Sequence, residues 1–245
     1  MAEMAEKIVL RVATCMAAAG FDSEVEQLVY LSRALWGDLQ LCRLYVGPRG
    51  RTHLMSSART GQTERVALLL GAGALQAQAD VRGRTALHWA AECGHVAAAT
   101  LLLDAGADIS AVAGNGLTSL LLACHEGHRE MVALLLHRGV SVEEASSNAD
   151  CDCTALMMAG KRVDVVRLLV EQGGADIRRE VKCGTALCSA IKSSSLELVT
   201  YLLDAGANNY KHLLSMGLAA GDAIATVLLQ RGADTEVEDE SGNTP

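Results

Sequence analysis

From residue 52 onward one hydrophobic pattern recurs. A Thr opens a run of small and apolar residues, a Leu-rich triplet follows sixteen residues later, and a Gly closes the unit. Thr52 leads to Leu68-Leu69-Leu70 and Gly73, Thr85 to Leu101-Leu102-Leu103 and Gly106, and Thr118 to Leu134-Leu135-Leu136 and Gly139. These Thr residues stand 33 and 33 positions apart, and Thr154, Thr185 and the equivalent His212 continue the series at intervals of 36, 31 and 27. A period of this length marks a repeat architecture whose loops change length toward the C-terminus.

Each unit predicts two short antiparallel helices. In the second unit Thr85 caps a helix running through Ala86-Leu87-His88-Trp89-Ala90-Ala91, and Gly94 ends it with a left-handed turn. Val96 to Leu103 forms the second helix, with apolar residues at three- and four-residue spacing, and Gly106 closes it. Gly106-Ala107-Asp108 then opens an extended, polar-tipped connector ending at Asn115-Gly116. One such pair cannot bury its own apolar face, so stability must come from stacking on neighbours. The repeat at Thr154 reaches Gly173 in 19 steps where Thr85 reaches Gly106 in 21, which predicts two residues lost between its helices. Asn208-Asn209-Tyr210-Lys211 leaves room only for a tight turn before His212.

Thr85-Ala86-Leu87-His88-Trp89-Ala90-Ala91 and Gly106-Ala107-Asp108 resemble the ankyrin repeat, and Gly127-His128, Gly173-Gly174-Ala175-Asp176, Gly206-Ala207-Asn208 and Gly232-Ala233-Asp234 carry the resemblance onward. It implies an all-α ankyrin-repeat solenoid of helix-turn-helix units over residues 47–245, with about six repeats. Ser241-Gly242-Asn243-Thr244-Pro245 looks like the opening of a truncated seventh. Residues 1–46 lack the spacing and predict helices near Ala5 to Ala19, Ser23 to Leu35 and Asp38 to Val46, read as an N-terminal helical cap. Leu28 to Trp36 also resembles the helical stretch of an F-box, without its leading Leu-Pro.

Composition agrees with helices packed through small residues: half of the 245 residues are hydrophobic, yet only seven are aromatic and two are Pro. A net charge of −8 argues against binding nucleic acid through the whole surface. No uninterrupted apolar run is long enough to span a membrane, and eight Cys without an N-terminal leader predict free thiols in a cytosolic or nuclear compartment. The average hides an asymmetry. Between Arg43 and Arg84 seven Arg face only Glu64 and Asp80, a balance of +5, whereas the last thirty residues carry −5.

Candidate chemistry is sparse. Cys151-Asp152-Cys153, Cys183 and Cys188 are zinc-type ligands, but Cys153 and Cys183 fall at near-equivalent places of adjacent units, which packed helices hold about 8–10 Å apart. His88, His95 and His128 read as structural hydrogen-bonding groups. No Gly-x-Ser-x-Gly, phosphate-binding loop or His-Glu-x-x-His occurs, so no enzyme, metal or cofactor is expected. The resemblance implies instead a protein partner held by connector tips and the exposed side of the first helices. Those positions are Arg49, Arg51, Arg59 and Thr60; Val81, Arg82, Arg84, Glu92 and Cys93; Asn115, Leu117, His125 and Glu126; and Val181, Lys182 and Lys192. Arg82 and Arg84 are expected to point to solvent and to favour an acidic partner. Glu143 and Glu144 lie in the connector insertion and should matter little. The expected protein is a monomeric, non-catalytic scaffold; the alternatives are a substrate-receptor subunit of a ubiquitin ligase and the targeting region of a larger enzyme.

Overall fold

A computed structural model of the chain describes residues 48–143, 152–182, 184–207, 213, 217 and 220–233. The cap expected over residues 1–46, the short connector at 208–212 and the repeat start at 241–245 lie outside the described residues. The helices are α1 (His53–Arg59), α2 (Thr63–Gly71), α3 (Ala86–Glu92), α4 (Val96–Asp104), α5 (Ser119–Glu126), α6 (Arg129–His137), α7 (Ala155–Met158), α8 (Val163–Glu171), α9 (Ala186–Lys192), α10 (Leu196–Asp204) and α11 (Asp222–Gln230). From α1 to α10 they alternate as a short first helix and a nine-residue second helix, as the hydrophobic period predicts, and α11 is a further nine-residue helix. Among the described residues there is no strand, only isolated antiparallel bridges at Val112–Thr118 and Val181–Gly184.

Contacts divide the chain into two compact units, Met1–Ser119 and Leu120–Pro245. In the first, α1 packs on α2 and α3, α2 on α4, and α3 on α4. In the second, α6 packs on α8, α7 on α8 and α9, α9 on α10, and α10 on α11. Small residues make the first helices fit closely: Ala58, Ala90, Ala91, Ala123 and Ala190 are all fully buried.

The Leu triplet does two tasks at once. Its middle position (Leu69, Leu102, Leu135, Leu169, Leu202, Leu228) is buried in every described repeat, while flanking Leu68 and Leu229 stand 44% and 46% exposed. The carbonyl of the same middle Leu ends the helix. It accepts the N–H of Ala74, Ala107, Val140, Ala207 or Ala233 five residues on, at 2.9, 2.9, 3.2, 2.9 and 3.0 Å. That chain reversal requires a left-handed residue in between, and Gly106 supplies it with φ 85°.

The fourth repeat departs from this frame, though not where the spacing placed the change. Its linker, residues 159–162, is no shorter than residues 93–95 of the second repeat; the missing residues come from the first helix, since α7 has four residues where α3 has seven. One residue is regained at the end of α8. Ala175 reaches back six residues to Leu169 at 3.1 Å, and Gly174 rather than Gly173 takes the left-handed turn with φ 65°.

The described first helices each begin at a Thr, and in the first, second and fifth repeats the side chain three residues on turns back toward it. In the second repeat His88 Nδ1 accepts from Thr85 N–H at 3.1 Å and lies 2.8 Å from its hydroxyl. Because the backbone N–H can only donate, Nδ1 is bare, and Nε2–H donates to the Leu117 carbonyl at 3.2 Å. His88 therefore ties the second repeat to the connector before the third. The first repeat uses Met55, whose Sδ lies 3.5 Å from Thr52 N, and the fifth uses Cys188, whose Sγ takes the Thr185 hydroxyl at 3.3 Å.

Two measurements follow. Because α7 is a single turn of helix, its amide protons should exchange faster than those of α3; equal protection by hydrogen-exchange mass spectrometry would contradict the shortened-helix account. Burial of His88 depresses its pKa, with Arg84 acting in the same direction, although backbone acceptors at Leu117 and Ala111 and the charge of Asp80 oppose it. The unfolded chain then binds more protons than the folded one below about pH 6.5, so stability is full above that value and falls as pH drops. Denaturant titrations from pH 7.5 to pH 5, values of about one unit either side of that midpoint, should show this slope, and His88→Gln should flatten it.

Candidate functional site

The first unit places the Arg-rich segments side by side. At the tip between α2 and α3, the buried Asp80 carboxylate accepts the backbone N–H of Arg82 at 2.8 Å and of Arg84 at 3.0 Å, which folds the chain into a tight turn. Neighbouring tips are joined by single backbone bonds: Val81 N–H to the Arg49 carbonyl at 3.1 Å, and Gly114 N–H to the Arg82 carbonyl at 2.7 Å. Gly83 is needed there, because a Cβ on its left-handed backbone would meet Gly114 N at 2.6 Å. The tips are not purely polar as the spacing suggested: Val81 is 73% exposed and Val112 52%.

Behind the tips stands Trp89, on the exposed side of α3 and half-buried. The Arg84 guanidinium lies 5.0 Å from its ring centroid and that of Arg51 lies 5.7 Å from it. A cation over an indole is worth about 0.5–2 kcal/mol, more as water is excluded. Arg84 Nη1 also meets Glu92 Oε2 at 2.6 Å, with the two side chains only 11% and 27% exposed. Arg84 thus does not point to solvent as its place in the repeat suggested; Trp89 and Glu92 draw it inward. Arg82, whose backbone alone is engaged, is exposed. The indole Nε1–H of Trp89 is buried without a hydrogen-bond partner.

The remaining candidates fall in different places. Arg49 is exposed and holds a left-handed backbone with φ 65°. Arg59 and Thr60 are exposed at the end of α1, where the Arg59 carbonyl faces His95 Nε2 at 3.0 Å, the interrepeat role expected of that His. Asn115 Oδ1 accepts from Leu117 N–H at 3.4 Å, and Leu117 is half-buried, its carbonyl bound to His88. His125, Glu126, Lys182 and Lys192 belong to the second unit. His125 and Glu126 contact each other at 3.0 Å, both exposed; Lys182 lies 3.7 Å from Asp152; Lys192 is exposed at the end of α9. Glu143 is not an idle charge: it binds Asp176 N–H at 2.9 Å and Arg179 at 2.5 Å, bracing the connector after α6 against the one after α8.

Trp89 is the residue that spacing alone did not single out, because its position within the repeat varies freely and only the approach of two Arg from flanking segments gives it a role. Cys93, Cys124 and Cys188 are free thiols, and burial pushes the Cys124 thiol up to about 12, which leaves it unreactive. Cys153 is disulfide-bonded, against the expectation of free thiols; Cys151 and Cys183 lie outside the described residues. Among the described residues no cluster of His, Cys, Asp and Glu could hold a metal ion, and no helix is long and apolar enough to cross a membrane.

A family model described as ankyrin repeats matches in three copies, over residues 15–113, 110–181 and 141–213. The crystal structure of the human ASB11 ankyrin repeat domain is similar to this chain, with a TM-score of 0.72 and 25% identity over 79% of this chain and 90% of that one. No curated protein matches.

The inward Arg84 and the outward Arg82 should respond oppositely to mutation. Arg84→Glu sets a second carboxylate against Glu92 and removes the cation from Trp89, so it should destabilise by about 1–3 kcal/mol. Arg82→Glu should stay within about 0.5 kcal/mol. Equal effects in thermal or urea unfolding would contradict the assigned placements.

Proposed function

Since the chain belongs to the ankyrin-repeat family, we propose that it is a non-catalytic interaction module that binds a protein partner along the connector tips and exposed first-helix side of its first two repeats. The observation that carries this reading is the Arg51–Trp89–Arg84–Glu92 assembly beside the tips of Arg49 and Arg82. Ankyrin-type repeats generally act by binding other proteins rather than by catalysis. Within that frame a half-buried Trp approached by two Arg side chains has the make-up of an interface hot spot: rigid, large and already oriented, so that little side-chain entropy is lost on binding. The backbone bonds between tips keep the surrounding positions in register. Asn115 and Leu117, on the next connector, extend the same surface within the unit.

Affinity capture from cell extract, quantified by mass spectrometry, tests this reading. The triple variant Arg49→Glu, Arg51→Glu, Arg82→Glu should lose partners of the wild-type chain tenfold or more, about 1.4 kcal/mol. A charge reversal on the second helix α6, Arg129→Glu, should retain them. Capture that survives the triple reversal but fails with Arg129→Glu would place the partner elsewhere.

A further inference from the structure

We propose that Arg51, whose guanidinium lies over the Trp89 ring, is the receptor for a carboxylate on an acidic, extended partner segment, with Arg49 and Arg82 guiding that segment across the tips. This rests on reading the face as the partner surface and names the chemistry it selects. Arg84 has Glu92 at 2.6 Å, and Asp80 gives its carboxylate to two backbone N–H groups. Glu92 is thus already paired with a cation, and Asp80, though still charged, is held by the backbone of the tip with no ion pair to the other three Arg. Arg49, Arg51 and Arg82 have no ion pair among the described residues, although Arg51 is half-buried. A half-buried cation without an anion holds much of its attraction in reserve for a ligand that brings one.

Geometry separates Arg51 from the other two. Its guanidinium lies 5.7 Å from the Trp89 ring centroid, while Arg84, anchored by Glu92, holds the indole from its own position 5.0 Å away. A guanidinium held over an aromatic ring by cation–π attraction is restrained in its rotamers, while its N–H groups remain suited to a bidentate carboxylate. Exposed Arg49 and Arg82 lack that restraint, and their contribution is long-range attraction that speeds encounter. Arg84 acts as a positioning residue, because it sets the indole against which Arg51 rests. The partner is an acidic peptide segment rather than a folded apolar surface, since the exposed apolar residues at these tips, Val81 and Val112, are single side chains on separate connectors.

The chain has only two Trp, so the full-length Trp36→Phe variant leaves Trp89 as the reporter. This protein is titrated with a short synthetic Glu-rich peptide, with the same peptide carrying Gln for Glu, and with one carrying phosphoserine for Glu, followed by fluorescence and calorimetry. The Glu peptide should bind and change Trp89 emission, weakening about tenfold from 0.05 to 0.3 M salt, and the Gln peptide should not bind measurably. Arg51→Lys, which keeps the charge but not the planar fork, should weaken binding about fivefold or more, and Arg51→Gln at least tenfold. Arg82→Gln should cost only about twofold to threefold, mostly in the on-rate. Thermal unfolding verifies each variant, and Arg51→Lys carries the comparison if Arg51→Gln does not fold. Equal affinity for the Gln peptide, binding of the phosphoserine peptide alone, or an Arg51→Lys affinity like wild type would overturn the proposal. The reading of the face itself would still stand if the triple reversal abolished capture, so the two can fail separately.

Discussion

Everything in this protein depends on one constraint: a pair of short helices exposes more apolar surface than it can cover, so each pair is stable only against the next. The middle Leu of each triplet shows how tightly this is built. Its side chain fills the space between helices, and its carbonyl closes the turn that sends the chain to the following repeat. A change there would disturb packing and chain reversal together. The fully buried Ala residues of the first helices, Ala58, Ala90, Ala91, Ala123 and Ala190, answer the same constraint, since close approach at those positions favours small side chains.

Variation is permitted where this constraint is relaxed. The fourth repeat keeps a nine-residue second helix, with Leu169 fully buried, and gives up residues from its first helix instead. The extra Gly at 173–174 lets the turn still return to Leu169. The residue three after each Thr varies likewise. His, Met and Cys occupy that place in different repeats, but only His88 has a second ring nitrogen with which to reach the next connector. The second repeat thus carries a polar tie where the first and fifth carry sulfur.

The same scaffold explains why neighbouring Arg residues differ so sharply in role. Arg82 and Arg84 are two positions apart, and both donate their backbone N–H to Asp80, yet one side chain goes out and the other in. The difference lies in what stands beyond the turn: Trp89 and Glu92 form a pocket that a guanidinium fills, and nothing comparable faces Arg82. Charge counted along the chain therefore overstates the cation available to a partner. Of the five Arg at candidate positions in the first two repeats, Arg84 is neutralised by Glu92, and Arg51 lies over the Trp89 ring rather than free in solvent.

Periodicity by itself determined the repeat architecture, the alternation of short and longer helices and the Gly turns, because all of these follow from local spacing of apolar residues and from backbone conformations that only particular residues tolerate; that only the middle Leu of each triplet is buried throughout came from the packing. The candidate face that includes Arg51, Arg84 and Glu92 came from the resemblance to the ankyrin repeat, not from periodicity. Periodicity could not say that Trp89 stands between two Arg, that Arg84 turns inward, that Glu143 braces a connector, or that the shortened repeat loses its residues from a helix. Those outcomes depend on side chains brought together from segments roughly one repeat apart, such as Arg51 and Trp89, or Glu143 and Arg179. Local spacing sets where each backbone goes, but competition among neighbouring charges and rings for the same space is decided only once the repeats are stacked.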